Sequence, residues 1–327
     1  MYRKPFKSKV PLVIRTVFRK FLPKAYAAWD SRRLTDIFEF NKSLALRGDA
    51  EAQCNLGICY FLGVGAGKGA EEAVKWFRKS AEQGHAEAQC HLSICYFEGA
   101  GVTKNAIEAM SWSRRAAAAG FAQAEYNIGL YYQRGCGVEI DLVEAVKWYL
   151  KSASKGNVLA QLGLGFMHYK GLGLVKNDAE AAKWFLKAAD QGYAEAQYFA
   201  GACFDEGVGV ARDGISAWGW YHMAAEQGHA GALLALGKCY RRGVGDLVDK
   251  DDAESYAYYS LASLTPEGKS LEILNLMLTI MSQEDVLKGQ KRANEIRRKI
   301  IINYDLNWDS IDLFQCRAFQ SLAKRYG

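Results

Sequence analysis

One pattern constrains the fold of this chain more than any other: the sequence repeats itself every 36 residues as far as about Tyr258. The six copies begin at Ala50, Ala86, Ala122, Val158, Ala194 and Ala230, and repeat positions are counted from these starts. Every copy has glycine at positions 13 and 15, alanine at position 23 and an aromatic residue at position 26, with Ala253 and Tyr256 as the last members. Because no insertion or deletion interrupts this period, the sequence predicts an array of stacked repeats.

Each copy predicts two helices joined by a turn. Apolar and small residues follow helical spacing over positions 0 to 12, as with Leu56 and Tyr60 in the first copy. The two glycines that follow favour a turn, since glycine adopts positive φ without steric cost. A second helical stretch covers positions 21 to 33 and ends before a glycine in the first five copies. Because one helix pair cannot bury its apolar face alone, we predict an all-α fold, an α/α superhelical solenoid of about six repeats with helical caps at both ends.

The repeated residues resemble the Sel-1-like repeat (SLR) family, which is related to the tetratricopeptide repeat. The motifs that carry this resemblance are A-x-A-Q, L-G-x-x-Y, G-x-G-V and A-x-x-W-F/Y, as in Ala50–Gln53, Leu56–Tyr60, Gly99–Val102 and Ala181–Phe185. Between five and a half and six copies match, or about two thirds of the chain. The resemblance implies scaffolding and partner binding, with the first helix of each copy on the concave side of the solenoid.

The pattern divides the chain into four segments. We predict a basic amphipathic N-terminal segment, a half-repeat cap, the repeat array and a C-terminal helical cap at residues 1–30, 31–49, 50–263 and 264–327. The half repeat has Ala45 and Gly48 at the positions that alanine and glycine occupy in full copies. In the C-terminal cap we predict a helix at Leu271–Met281, a second beginning at Ser282 with a serine cap, and a last helix in residues 309–324.

Charge is distributed unevenly along the chain. The first 24 residues contain eight basic residues and no acidic residue, whereas the repeat array is slightly acidic. Since the array has no basic face, we expect no nucleic-acid partner. Between Pro11 and Pro23, the apolar and basic residues fall on different helical faces. The two sets are Val13, Ile14, Val17, Phe18, Phe21 and Leu22, and Arg15, Arg19 and Lys20.

Three roles stay open for this N-terminal helix: a cap on the solenoid, an anchor on a membrane surface or partner, and a targeting segment. No apolar run in the chain approaches the roughly 18 residues of a membrane span. We therefore expect a cytoplasmic protein, with peripheral membrane attachment through residues 11–23 as an alternative. Export also stays open, because Ala25-Tyr26-Ala27 imitates a signal cleavage site, although basic residues interrupt the apolar core before it.

The cysteines are expected to be free and mostly buried. Six of the eight occupy positions 4 and 9 of the first helices, namely Cys54, Cys59, Cys90, Cys95, Cys203 and Cys239. Position 9 holds Tyr131 and Met167 in other copies, which indicates an apolar packing position. Some cysteine-rich members of the SLR family link their two helices by a disulfide, but here the second helices contain no cysteine. A bridge between Cys54 and Cys90 on adjacent copies stays open.

Two motifs imitate catalytic sequences but fit the repeat better. Ser152 and Lys155 match the Ser-x-x-Lys motif of β-lactamases, a class to which some SLR relatives have been assigned, but no S-D-N or K-T-G follows. The run from Gly63 to Gly69 imitates a phosphate-binding loop, yet it lies between two predicted helices and lacks the Ser or Thr that would contact magnesium. No histidine has a partner at metal-binding spacing. We predict no catalytic residue, no metal, no cofactor and no enzymatic activity.

The candidate binding surface comes from the tetratricopeptide resemblance, which implies that positions 1, 4, 8, 11 and 12 lie on the concave side. Positions 4, 8 and 11 are apolar or aromatic in the early copies, and positions 8 and 11 are charged in the last copy, at Lys238 and Arg241. The candidate partner-binding residues are Ile58, Phe61, Ile94, Phe97, Tyr126, Leu130, Leu162, Phe166, Tyr169 and Tyr198. The alternative is that these side chains pack between adjacent helices.

These features predict a scaffold or adaptor that binds a protein or peptide partner on the concave face, through an extended peptide or an amphipathic helix. The Asn and Lys pairs of tetratricopeptide clamps for peptide C-termini are not matched, because Cys54 and Ile58 stand there. Two alternatives stay open: a β-lactamase-like or peptidoglycan-processing hydrolase, and a membrane-associated assembly factor. We expect a monomer.

Overall fold

The structure consists of helical hairpins in the order that the sequence period predicts. The computed structural model of the protein describes residues 31–245, 248–264 and 271–307. The N-terminal segment 1–30 and the helix predicted in residues 309–324 lie outside this part. The described residues form fifteen α-helices and a single β-bridge between Val244 and Val248. The prediction of an all-α solenoid is confirmed.

The helices of the six copies are regular in length and spacing. The first helices are α2 (Ala50–Leu62), α4 (Ala86–Glu98), α6 (Ala122–Arg134), α8 (Val158–Lys170), α10 (Ala194–Glu206) and α12 (Ala230–Arg242). The second helices are α3 (Ala70–Glu82), α5 (Ala106–Ala118), α7 (Leu142–Ser154), α9 (Asp178–Ala189), α11 (Gly214–Glu226) and α13 (Asp252–Ser263). Flanking them are α1 (Ser31–Leu46), α14 (Leu271–Ile280) and α15 (Gln283–Asn307). Contacts divide the chain into a first unit with α1 to α7 and a second unit that begins at Val158.

The two glycines of a turn have different roles. The glycine at position 13 ends the first helix in the left-handed region, as at Gly63, where φ is 77° and the amide donates to the Cys59 carbonyl over 2.8 Å. The glycine at position 15 also has positive φ, and in the second, third and fifth copies it lies against the start of the preceding second helix. A Cβ atom on Gly101 would come within 2.7 Å of the Glu71 nitrogen at the start of α3. Any side chain there would push neighbouring copies apart.

Within a hairpin, a glycine and an aromatic ring form the main packing contact. A Cβ atom at Gly57 would lie 2.6 Å from the ring of Phe77, and the same relation holds for Gly129 and Tyr149. The ring at position 27 is therefore the central one and is fully buried. The tryptophan at position 26 lies beside it and is mostly half-buried, with a Lys or Arg three residues later stacked over the indole in four copies.

Hydrogen bonds of the buried side chain at position 3 join a hairpin to the one before it and also connect the two helices of its own hairpin. Gln53 at position 3 donates to the Ala45 carbonyl over 3.1 Å and accepts a hydrogen bond from Gln83 over 2.7 Å. Equivalent pairs at positions 3 and 33 occur in the fourth and fifth copies. In the third copy, Lys155 and Glu125 form an ion pair of 2.7 Å instead. Because the side chains at position 3 are buried, an acceptor there that finds its donor avoids a desolvation cost.

In the sixth copy, the register of the second helix differs from the one that the sequence pattern predicted. Helix α13 begins two residues later than the other second helices, and Asp251 donates to the Tyr240 carbonyl where Gly69 donates to Tyr60 in the first copy. Tyr259 consequently packs against Gly237. The assignment of Ala253 and Tyr256 to positions 23 and 26 is therefore wrong, because the turn contains two extra residues.

The fold of the described ends resembles that of the repeats. Helix α1 packs through Phe38 and Ala45 against α2, and Gly48 has the positive φ seen at the ends of the other second helices. At the other end, Leu274 and Met277 of α14 pack against the tyrosines of α13. Helix α15 begins after Ser282, whose hydroxyl accepts a hydrogen bond from the Asp285 amide over 3.1 Å, as the sequence predicted.

Candidate partner-binding surface

Four of the ten candidate residues lie in the interior. Tyr126, Leu130, Leu162 and Ile58 are 1%, 5%, 0% and 9% exposed. Tyr126 shows the reason: its ring stacks on Tyr149 of the second helix at 5.5 Å, so position 4 faces the hairpin core. These four side chains pack between helices, as the alternative stated, and they expose almost no surface to a partner.

The other six candidates are partly exposed and fall into two groups. Phe61, Ile94 and Phe97 belong to the first unit. Phe166, Tyr169 and Tyr198 belong to the second unit. Partial exposure is what an anchor residue needs, because its ring is held by neighbours and still has area to bury against a partner.

In the first unit, the partly exposed residues lie on an acidic surface. Helices α2 and α4 contain three glutamates, Glu51, Glu87 and Glu98, and no lysine or arginine. We call the surface formed by these glutamates with Phe61, Ile94 and Phe97 the acidic face. Helical spacing places the three carboxylates on the same side as Ile94, and Phe97 lies at its border, stacked on Tyr131 at 5.1 Å.

Two carboxylates of the acidic face influence the pKa of the Cys54 thiol. Burial raises the pKa of Cys54, and the negative charges of Glu87 and Glu51 raise it further. Two glutamates from consecutive copies therefore lie close to one sulfur atom. Glu87 approaches His91 at 3.8 Å, whereas Glu51 and Glu98 form no hydrogen bond or ion pair within the described residues. This surface therefore carries negative charge around Glu51, Glu87 and Glu98, while the Lys104 ammonium lies over the Phe97 ring at 5.5 Å at its border.

In the second unit, Phe166 and Tyr198 belong to an aromatic cluster, whereas the Tyr169 ring has the ammonium groups of Lys170 and Lys176 over it. The rings of Phe166 and Phe199 meet edge to face at 4.6 Å, and Tyr198 stacks on His229 at 4.7 Å. Beside them, Arg242 and Asp205 form an ion pair of 2.5 Å. Lys238 on α12 is exposed, so this surface ends in positive charge, as the sequence predicted.

The catalytic-looking motifs have structural roles. The Ser152 hydroxyl donates to the Ala122 carbonyl over 2.6 Å, which repeats the bond from Ser80 to Ala50 in the first copy. The Lys155 ammonium is held by Glu125 and by the Gly120 carbonyl, at 2.7 and 2.8 Å. Neither group is positioned to activate the other, because each is committed to a repeat contact.

Two histidines have a role that sequence spacing alone did not indicate. His85 and His229 are the N-cap residues of α4 and α12, and their Nδ1 atoms accept the backbone amides of Ala88 and Ala232. Asp49 is the N-cap residue at the equivalent position before the first copy, and this was the signal in the sequence that His85 and His229 are also N-cap residues. In the described part of the chain, no three His, Cys, Asp or Glu residues come together as a metal site would require.

The described cysteines are all free. They are Cys54, Cys59, Cys90, Cys95, Cys136, Cys203 and Cys239, and all except Cys136 are buried. The possibility of a Cys54–Cys90 bridge is thereby excluded in this structure. Burial raises the pKa of Cys59 and of Cys95 to about 12, which keeps both thiols protonated at neutral pH. None of the described helices combines the length and the apolar character needed to cross a membrane.

Comparison with known proteins identifies the repeat. The family model described as the Sel1 repeat matches residues 50–85, 86–121, 122–157, 158–193, 194–229 and 230–264. The chain belongs to the Sel1 repeat family. This confirms the resemblance inferred from the motifs, and Sel1 repeat proteins are helical repeat scaffolds that generally serve protein interaction. The search of curated proteins finds no match.

Two solved Sel1-type structures are similar over most of the chain. One is c5321, a protective antigen present in uropathogenic Escherichia coli strains and displaying an SLR fold, with 30% identity and a TM-score of 0.63. The match covers 89% of this chain but only 60% of that protein. The other is a Sel1 repeat protein from Oxalobacter formigenes, with 29% identity, a TM-score of 0.64, and coverage of 77% of this chain and 98% of that one.

Proposed function

We propose that this Sel1 repeat chain is an adaptor that binds a protein or peptide partner on the side lined by its first helices. The supporting observation is that Phe61 and Phe97 occupy the same position of consecutive first helices and both keep part of their surface exposed. Rings repeated at a fixed interval provide anchor points for one extended ligand. The role as a repeat scaffold follows from family membership, and the location of the ligand is the proposal.

The hydrolase alternative is not favoured by any contact in the described residues. Its best candidate pair, Ser152 and Lys155, is occupied by hydrogen bonds within the repeat. The family is typically one of scaffolds without catalytic activity. The membrane alternative rests on residues 11–23, which lie outside the described residues.

The test compares two double variants of the full-length chain in quantitative affinity capture from the native organism. Truncation of both anchors, Phe61→Ala with Phe97→Ala, should reduce recovery of the specific partner about tenfold or more. The control is Ile107→Ala with Val143→Ala. These two side chains lie on second helices, where they are 72% and 54% exposed, so the control also removes exposed apolar surface. An unchanged partner list with the anchor variant, or an equal loss with the control, would refute the proposed location.

A further inference from the structure

Helix α15 carries more positive charge than its own carboxylates neutralise. Its first two carboxylates, Glu284 and Asp285, lie 2.9 and 3.8 Å from the Lys288 ammonium, and Glu295 lies 3.4 Å from Arg292. Arg292 is also held by Glu254 of α13, at 2.6 Å. The cations that form no ion pair or hydrogen bond with a described residue are Lys291, Arg297, Arg298 and Lys299. A short stretch of this helix therefore has four free positive charges.

These four cations project from the side of α15 that faces solvent, and all are exposed. Helical spacing places Lys291 and Arg298 on the outermost stripe, with Arg297 and Lys299 on its two flanks. The buried side of the helix, opposite to them, consists of Gly289, Ala293 and Ile296. Long basic side chains keep their charged ends mobile, so cations spread over a convex face can reach a broad anionic surface together.

The same end of the array exposes a concentration of aliphatic side chains. Of the fifteen large hydrophobic side chains that are exposed in the described residues, five lie between residues 271 and 287, with exposures of 48% to 65%. They are Leu271, Leu276, Leu278, Ile280 and Leu287. Helix α14 contains a single charged residue, Glu272, so it adds little charge of its own.

The aliphatic and the basic side chains meet where α14 is followed by α15. Only Met281 and Ser282 separate the two helices, and Val286 packs on the buried cluster that contains Met277 of α14. Leu287 lies one helical turn before Lys291 on the same outer stripe. We call Leu287 with the four free cations and the exposed aliphatic side chains of α14 the C-terminal patch.

The composition of the C-terminal patch favours one class of polyanion. An anionic bilayer attracts each Lys or Arg near its surface, and the boundary between headgroups and acyl chains also accepts aliphatic side chains. The phosphates of a nucleic acid would pair with the cations but would leave the leucines exposed. A narrow acidic peptide would reach one flank of the cations only.

We propose that the C-terminal patch docks the chain peripherally on an anionic lipid surface. The headgroups neutralise the free cations of α15, and Leu287 enters the boundary below the headgroups. This inference goes beyond the proposed function and uses other residues, because it adds a second surface to the adaptor and places its partner-binding surface next to a membrane.

Co-sedimentation of the purified full-length protein with vesicles tests the role of charge. The protein should bind vesicles of equal parts phosphatidylglycerol and phosphatidylcholine, and should not bind phosphatidylcholine alone. Removal of the free cations by Lys291→Gln, Arg297→Gln, Arg298→Gln and Lys299→Gln should lower the partition coefficient about tenfold or more. Added salt should weaken binding of the unmodified chain, since it screens the attraction.

The matched control removes the same charge from exposed positions of second helices. It consists of Lys75→Gln, Lys147→Gln, Lys183→Gln and Lys187→Gln. The first three of these lysines already pair with a glutamate three residues earlier, as Lys147 does with Glu144 at 2.8 Å. The control should lower the partition coefficient less than about twofold, because paired surface charges contribute little.

A spin label attributes the contact to α15, which is necessary because the first 24 residues contain eight basic residues. The label is attached to Leu287→Cys in a Cys136→Ser, Cys316→Ser background, and its depth is measured by paramagnetic resonance with oxygen and a water-soluble relaxant. On anionic vesicles, the label at position 287 should lie below the headgroups. A label at Ile107→Cys, where the native side chain is 72% exposed, should stay in water.

Circular dichroism of each variant establishes that the helical content is unchanged. Equal losses with the two fourfold variants, no binding to anionic vesicles, or a label at position 287 that stays in water on bound protein would overturn the inference. Binding of a DNA duplex or of polyglutamate through the same four cations, without vesicle binding, would assign the patch to another polyanion and reject the lipid surface. These outcomes leave the proposed function untouched, because Phe61 and Phe97 are unchanged in every variant.

Discussion

The hydroxyl groups of Ser93 and Ser113 lie 2.6 Å apart in the interior of the second copy. In the first, third, fourth and fifth copies these two positions hold a glycine and an aromatic residue in contact. Ser93 also bonds to the Ala109 carbonyl at 2.8 Å and to the Tyr131 hydroxyl at 2.9 Å. Tyr131 comes from position 9 of the third copy, where other copies have smaller side chains, so the ring missing from the second copy is replaced by one from the next.

Removing the central hydroxyl of this network should be costly. Ser93→Ala leaves the hydroxyls of Ser113 and Tyr131 without their shared partner in a fully buried site, which costs about 1–3 kcal/mol. Urea unfolding measures the loss. Ser111→Ala, at an exposed position of α5, is the control and should change stability by less than about 0.5 kcal/mol. Equal effects of the two substitutions would show that the network contributes nothing.

Two glycines inside helices of the second unit should respond to alanine with opposite signs. A Cβ atom at Gly201 would lie 2.7 Å from the Tyr221 ring, whereas one at Gly219 would meet nothing within 4 Å. Gly201→Ala should therefore destabilise by about 1–3 kcal/mol through overpacking. Gly219→Ala should stabilise by up to about 1 kcal/mol, since alanine favours the helix. Urea midpoints that shift in the same direction for both variants would contradict the packing described here.

The hydrogen bond between the side chains at positions 33 and 3 is missing in the second copy and can be restored. Gln89 donates to the Ala81 carbonyl over 3.0 Å, but its Oε1 atom is buried without a partner in the described residues because position 33 of its copy is Ala119. Ala119→Gln should supply the donor that Gln83 supplies to Gln53, and should raise stability by about 0.5–1.5 kcal/mol. Ala118→Gln, one residue earlier and exposed, should have no such effect. If the two variants have the same thermal midpoint, the hydrogen bond does not form.

Thiol labelling should follow burial. Cys136 is only partly buried, whereas burial raises the pKa of Cys59 and Cys95 to about 12 and of Cys203 to about 11. In a Cys316→Ser background, Cys136 should react first with a thiol reagent at pH 8, as followed by peptide mass spectrometry. Fast labelling of Cys59 would disprove its burial.

The same pKa shifts predict how stability depends on pH. A buried thiol whose folded pKa exceeds the unfolded value of about 8.5 contributes stability that is complete below that pH. The contribution is lost as pH rises toward 11 or 12.

The repetition in the sequence was sufficient to predict the helices and the turns. Its weakest point was the sixth copy, where glycines at positions 13 and 15 are retained while the turn lengthens by two residues, so the pattern of letters did not show the shift at Tyr259. Burial was harder to predict than fold. Tyr126 and Phe97 are both aromatic residues of first helices, but only contacts with the second helix and the next copy distinguish an interior ring from an anchor.

The most direct test of partner binding is photo-crosslinking in the native organism, with the probe at Phe97 or at Ile107 in otherwise identical full-length chains. We predict a cross-linked species heavier than the chain from position 97 and none from position 107. Equal products from both positions, or a product from position 107 alone, would contradict the claim that first helices carry the binding surface.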